Sequence, residues 1–458
     1  MGLHPARTFP QGGAGISGRL GTRRCLRRGT AGGLAVLLGA GAAAAVAPIA
    51  PAGAGAAAKV GSAVPARAMS THVGVTSNTV TVGNITWSAI FGGSKVGAEA
   101  YFAYVNSTGG VNGRKIEVTA QDTGYSGTRA ASLTEAAIKK DFALVGGFSI
   151  VMTAAGQILA RNPGMPMVQP TITPANTKLS NVVSPIPAIG GWQEGSLLYF
   201  KSKDPNGITK AAALIAKNPS ATDVWKGEKA TMEHLGYKIV YETTFPVTAT
   251  YNDFVSDVVA MKDRGVKMLF IEQNPTMYAA PLIRALNAEN FHPMVVLGAS
   301  TYSDTLIPTS GGAAATTGMY LEQDVVLYLG SDAKTVPAVT TFLRWTKAVT
   351  SSKKPTLFTL FGWLSAELFT EALKKAGKDP TRGSLLKALG EIHTFTGAHI
   401  EVPVDPASKT VSNCYLIGRI RYGHWVRQTD PPIGSATHGF RCTSKYYLPP
   451  TSPYADQG

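Results

Sequence analysis

From Val75 onward, apolar and polar positions alternate between two rhythms. TVTVGNIT (Thr79 to Thr86) has the β-branched character of a strand. KVGAEAYFAYVNSTGG follows, with Val96, Ala100, Ala103 and Tyr104 at helical spacing and the pair Gly109-Gly110 as its stop. The chain is then predicted to turn at Asn112-Gly113 and to run as a strand with Ile116 and Val118 on one side. GTRAASLTEAAIKK reads as a helix, FALVGGFS as a buried strand, VMTAAGQILARN as a helix and MPMVQP as a short strand.

The rhythm restarts with a predicted strand at Lys210 to Asn218, the helix DVWKGEKATMEHLG and the strand YKIVYETTF. NDFVSDVVAMKDRG and TMYAAPLIRALNAEN are expected as helices, VKMLFIEQ and PMVVLG as strands. Such alternation, twice over, predicts an α/β fold: two doubly wound parallel-sheet lobes joined by a multi-strand hinge. The Pro/Gly-rich segment Ser184 to Gly195 marks the first crossover, and Ser310 to Tyr320 a second change. Long helices at Val336 to Val349 and Leu357 to Lys375 then break the alternation, and SNCYLIGRIRYGHWV reads as a hairpin turning at Tyr422-Gly423. The expected division is 75–188 for the first part of lobe 1, 189–317 for the first part of lobe 2, and 318–398 for a return to lobe 1. Residues 399–458 are expected to finish lobe 2 and form a tail. Ligands of open parallel sheets sit beyond the carboxyl ends of the strands, so the loops there are the expected cleft walls.

Charge adds an N-terminal feature. The 458-residue chain carries a net +15, but the first 68 residues hold eight Lys or Arg and no acid, leaving 35 basic against 28 acidic residues in the rest. With no basic cluster interleaved with aromatics, nucleic-acid binding is not expected. Basic TRRCLRR (Thr22 to Arg28) precedes thirty uncharged residues, Gly29 to Ala58, rich in Ala and Gly. This reads as an export signal over 1–58 with cleavage near Ala58 and a flexible linker over 59–74. A retained anchor is the alternative, against which Pro48 and Pro51 interrupt the run. Arg23-Arg24 leaves twin-arginine and general export both open, and Cys25 lies in the basic segment with no lipobox. Two cysteines, Cys414 and Cys442, remain; in an oxidising compartment they are expected to form one disulfide.

Catalytic patterns are missing. The sequence has no GxSxG, HExxH or GxxxxGK[ST], and its GxGxxG at Gly13, Gly15 and Gly18 lies in the export segment with no strand before it. Eight histidines lack metal spacing, and the acidic residues nearest the predicted strand ends are Glu272 and Asp304. No enzyme, cofactor or metal is expected.

Four blocks carry a resemblance: GVTSNTVTVG (Gly74 to Gly83), NSTGGVNGRKIEV (Asn106 to Val118), QDTGYS (Gln121 to Ser126) and LVGGFS (Leu144 to Ser149). They resemble the periplasmic solute-binding proteins of the leucine/isoleucine/valine-binding type, which feed ABC transporters. The resemblance runs, more weakly, from about Val75 to about Val426. It implies a type I periplasmic binding fold that closes over a small solute and is recognised by a membrane permease; a monomer is expected. In the first lobe it implies ligand contacts from Ser149 through Thr153 and from Thr171 and Thr173, with helix capping by Ser149 or Thr153 as the alternative. Trp87 is either cleft wall or core.

The second lobe departs from the amino-acid binders. Ser300 stands where such proteins place an acid for the ligand's ammonium, with Tyr302 in the same segment. Asn218 and Ser220 replace an aromatic contact, and Gln273, Asn274 and Tyr278 are the remaining polar candidates. A buried ammonium without a counter-charge costs several kcal/mol. The resemblance therefore implies an amide or carboxylate, or an amino-acid-like solute if Glu272 or Asp304 serves. A ligand-sensing or orphan surface protein of the same fold, and a secreted hydrolase, are the alternatives.

Overall fold

A computed structural model describes residues 72–187, 192–271, 275–351, 354–428, 431–443 and 446–447. The expected export signal and most of the linker lie outside them, as do Glu272, Gln273 and Asn274.

The first sheet holds β1 (Thr79–Thr86), β2 (Lys115–Asp122), β3 (Ala143–Val145), β4 (Met167–Val168) and β5 (Val182–Val183), all parallel, in the order β2-β1-β3-β4-β5. Val82 pairs with Val118 on one side and Ala143 on the other, so β1 is an inner strand, and its second half is buried on both faces. The turn into β2 forms because Asn112 and Gly113 both take positive φ, 51° and 80°. Val111 and Arg114 thereby exchange N–H···O bonds of 2.8 and 3.0 Å.

The chain then enters β6 (Trp192–Gln193) and builds a larger sheet from β7 (Ala211–Ala216), β8 (Ile239–Phe245), β9 (Met268–Ile271), β10 (Met294–Leu297), β11 (Tyr320–Gln323), β12 (Cys414–Arg421) and β13 (His424–Arg427). Their order is β13-β12-β11-β10-β9-β7-β8. β7 to β11 are parallel, whereas β12 and β13 form an antiparallel hairpin on one side, turning at Tyr422-Gly423. The six residues of β7, AAALIA, are buried throughout. The short β14 (Arg441–Cys442) pairs with β12, and β15 (Tyr446–Tyr447) with β6. Cys414 faces Cys442 in that register and is bonded to it.

One boundary shifts. Tyr320–Gln323, expected within the return to the first lobe, is a strand of the second sheet. Its hydrogen bonds to β10 and β12 fix it there, and the return begins after it. Helices Pro337–Val349, Leu357–Lys375 and Arg382–Leu389 then pack on the first lobe. Helix Leu357–Lys375 meets helix Gly93–Ser107 backbone to backbone at Gly97 and Gly362, where a Cβ would collide with Thr359 O and Ser94 O respectively. Arg382 clamps the last helix by donating to the carbonyls of Phe142 and Ile138, at 3.1 and 2.8 Å.

Among the described residues the chain passes between the sheets three times: from β5 to β7, from β11 to helix Pro337–Val349, and from helix Arg382–Leu389 to β12. The second and third passages lie side by side, joined by Val326 N–H to Ile400 O and Val402 N–H to Asp324 O, both 2.8 Å.

Candidate ligand cleft

A cavity of about 170 Å³ lies between the two sheets. Its walls come from residues just past the carboxyl ends of parallel strands: Trp87 after β1, Phe148 after β3, Asn218 after β7, Pro275 after β9 and Ser300 after β10. The last residues of β11 and the next one, Glu322, Gln323 and Asp324, line it as well. This is the position that parallel-sheet geometry reserves for ligands.

The first-lobe wall is aromatic. Phe91, Phe148 and Phe358 pack with ring centroids 4.6–5.0 Å apart. Trp87 is half-buried, stacks on Tyr125 at 4.4 Å and meets Phe91 edge-on at 5.6 Å, so it is both cleft wall and part of this cluster. Such edge-to-face contacts hold the rings in place and leave their apolar surface to a guest.

The hydroxyls expected on this wall are elsewhere. Ser149 is buried between Phe148 and Ile150, which line the cleft, while its Oγ meets Thr123 Oγ1 and accepts from Val151 N–H, both at 3.4 Å. Thr171 likewise yields the wall to Ile172 and donates to Gln169 O at 3.1 Å, beside a separate small pocket. Thr153 is exposed at the first turn of helix Thr153–Arg161, whose capping residue is Met152, and neither Ser149 nor Thr153 caps it. Thr173 precedes the short helix Pro174–Thr177 without a side-chain capping bond. In each loop, successive side chains point to opposite sides, and the apolar neighbour takes the cleft.

In the second lobe, Asn218, Tyr278 and Ser300 do line the cavity. Asn218 uses Oδ1 to cap helix Pro219–His234 through Ala221 N–H at 2.9 Å, and Tyr278 donates its hydroxyl to Val247 O at 2.6 Å. Ser300 Oγ is buried without a partner. Tyr302 is a core residue: it is fully buried beside Tyr328 and Trp425, and its hydroxyl accepts from Leu329 N–H at 2.8 Å. Asp304 is exposed and does not line the cavity. Gln273, Asn274 and the side chain of Ser220 lie outside the described residues.

The polar corner is new. Glu322 Oε1 accepts from Trp192 Nε1 at 3.0 Å, Gln193 Nε2 at 2.8 Å and Ser196 Oγ at 2.5 Å, while its Oε2 is buried with no partner. Burial raises this carboxyl to about 7, against the pull of those three donors. Asp324, two residues on, is also raised to about 7, by burial and then by the charge of Glu322. Sequence reasoning misses the pair because TTGMYLEQD falls in the break of the alternating rhythm and is given no strand. A run of apolar and aromatic residues ending in Glu-x-Asp, just past a glycine, is the signal that marks it.

Comparison with known proteins decides the family. Residues 80–424 match the family model described as periplasmic binding protein. The chain belongs to the periplasmic binding protein family. No curated protein matches its sequence. Among solved structures, this periplasmic binding protein is similar to a fatty acid ABC transporter substrate-binding protein from Thermomonospora curvata, at 17% identity over 83% of this chain and 95% of that one, TM-score 0.64. It is also similar to a leucine binding protein from Thermotoga maritima, at 18% identity over 77% and 98% of the two chains, TM-score 0.63. A solute binding protein of an ABC transporter from R. palustris, in complex with benzoate, gives 18% identity over 79% and 99%, TM-score 0.63. At these identities the likeness is one of fold. The type I periplasmic binding fold holds for this chain, with its cleft between two lobes and its lining its own. Among the described residues, no helix is long and apolar enough to cross a membrane, and no group of His, Cys, Asp and Glu is placed to hold a metal ion.

Proposed function

We propose that this chain is the exported, monomeric solute receptor of an ABC importer, holding one small organic molecule between its lobes and doing no chemistry on it. The carrying observation is the cavity itself, walled by strand-end loops of both lobes and bordered by the passages between them. A ligand touching both walls stabilises the arrangement in which they face each other, and so shifts the molecule toward a closed form that a permease distinguishes. The basic, then uncharged, N-terminal segment supports export by way of a signal cleaved near Ala58.

The lining narrows the solute. Trp87, Phe91, Phe148 and Phe358 favour an apolar body, and apolar cavities of ~150 Å³ take a benzene-sized guest. The polar groups lie on the second-lobe wall, on Asn218, Ser300, Glu322, Gln323 and Asp324, opposite the aromatic one. Thermal unfolding of the purified chain against small aromatic and aliphatic amines, amides, alcohols and acids tests this. The midpoint should rise for at least one compound, by an amount set by RT ln(1 + [L]/Kd). A midpoint unmoved by every compound would remove the receptor reading.

A further inference from the structure

We infer that the acidic second-lobe wall of the cleft, at Glu322 and Asp324, selects a hydrogen-bond-donating, cationic head, so that the solute is an amine or amidine on a benzene-sized apolar body. This rests on the receptor reading above and concerns only the head group.

The cleft offers acceptors in excess of donors. Glu322 is 5% exposed, and its Oε2 has no partner. Gln323 has committed Nε2 to Val325 O at 2.7 Å, which leaves its buried Oε1 as an unpartnered acceptor. Asp324 adds a second carboxylate on the same edge. These atoms accept and do not donate when the acids are ionised. Ser300 Oγ, also unpartnered, serves either way. Of the lining amides, Gln193 and Gln323 have committed their nitrogens, and Asn218 brings one while its oxygen is taken by Ala221 N–H. No Lys, Arg or His lines the cleft among the described residues.

A carboxylate head therefore meets two carboxyl groups and no cation. The helix start beside it offers little relief: Pro219 has no N–H, and Asn218 already occupies that of Ala221. A cationic head instead meets carboxyl groups in the lining, and burial strengthens the attraction. The titratable groups around Glu322 are Asp324, Tyr237, on whose phenol its charge acts, and Glu401 in the passage facing Asp324. A bound cation holds Glu322 and Asp324 ionised, so its affinity should rise with pH through about 7.

Calorimetric titration of the full chain with benzylamine, benzamidine, benzamide and benzoate, for the wild type and Glu322→Gln, tests the inference. The substitution keeps an acceptor for Trp192, Gln193 and Ser196 and turns the lone Oε2 into a donor. Benzylamine or benzamidine should bind the wild type tightest, lose about 30-fold or more in Glu322→Gln, and fall below benzamide there. Asp324→Asn, with its own thermal midpoint measured, should weaken the cations in the same direction and guards against misfolding of the first variant. Benzoate or benzamide binding as tightly as the amines, with no change in Glu322→Gln, would overturn the inference and leave the receptor reading intact. Binding of none of the four at millimolar concentration, with another compound of the thermal panel bound, would overturn the inference and leave the receptor reading standing.

Discussion

Trp192 Nε1 donates to Glu322 Oε1 at 3.0 Å across 130 residues, tying the start of the second lobe to the last strand before the chain returns to the first. The bond belongs to a row of buried acids. Glu322, Asp324 and Glu367 are raised to about 7, each mainly by burial, and Glu401 is raised well above the carboxylate range, with both its oxygens unpartnered. Groups whose folded pKa exceeds the unfolded value favour the folded state below the unfolded value. That advantage is lost as pH rises through the folded one. Stability by urea unfolding should therefore fall between about pH 5 and pH 7.5. The fall should amount to roughly a few kcal/mol, since each tenfold change in the acidity of one carboxyl is worth about 1.4 kcal/mol. Lys409, lowered to about 8 by burial, acts in the opposite sense only above that window, and His399, also lowered, opposes the fall near its ordinary value. Glu401→Gln should flatten the slope and raise stability more at pH 7.5 than at pH 5. An unchanged slope would show that Glu401 does not contribute.

The contact between helices Gly93–Ser107 and Leu357–Lys375 depends on two missing side chains. A Cβ at Gly97 or Gly362 would run into main-chain atoms of the other helix, which cannot swing aside. Gly97→Val is expected to cost about 3 kcal/mol, the upper range for overpacking. Gly434→Ala, with open space around its Cβ, should stay within about 0.5 kcal/mol. The two unfolding curves, measured side by side, check the difference.

Cys414 is buried and Cys442 is exposed, 28 residues apart along the chain. A bridge over a loop of that size stabilises by about 3–4 kcal/mol when the unfolded chain is otherwise free. The double Cys→Ser variant should lose that much in guanidinium unfolding.

The fold is legible where periodicity and turn chemistry agree. β1, helix Leu357–Lys375 and the β12–β13 hairpin fall where the pattern predicts them, because each buries a set of apolar positions, and the Asn112-Gly113 turn does so because both residues take positive φ. Lys210 to Asn218 reads as one strand, but the strand stops at Ala216 so that Asn218 can cap the next helix. The site is only half legible. Sequence spacing fixes which loop reaches the cleft and not which residue of the loop faces it. A step of one residue exchanges Ser149 for Phe148, or Thr171 for Ile172. Glu322 and Asp324 escape for another reason: an acid in an apolar strand looks like surface until its hydrogen-bonding partners, Trp192, Gln193 and Ser196, are brought to it from far along the chain.

Hydrogen exchange of the full chain, with and without a saturating solute found by thermal shift, tests the central claim most directly. Ligand held between the lobes should slow exchange together in segments 146–150 and 299–301 and in the passage 322–326. Protection confined to one lobe, or absent from all three segments, would contradict it.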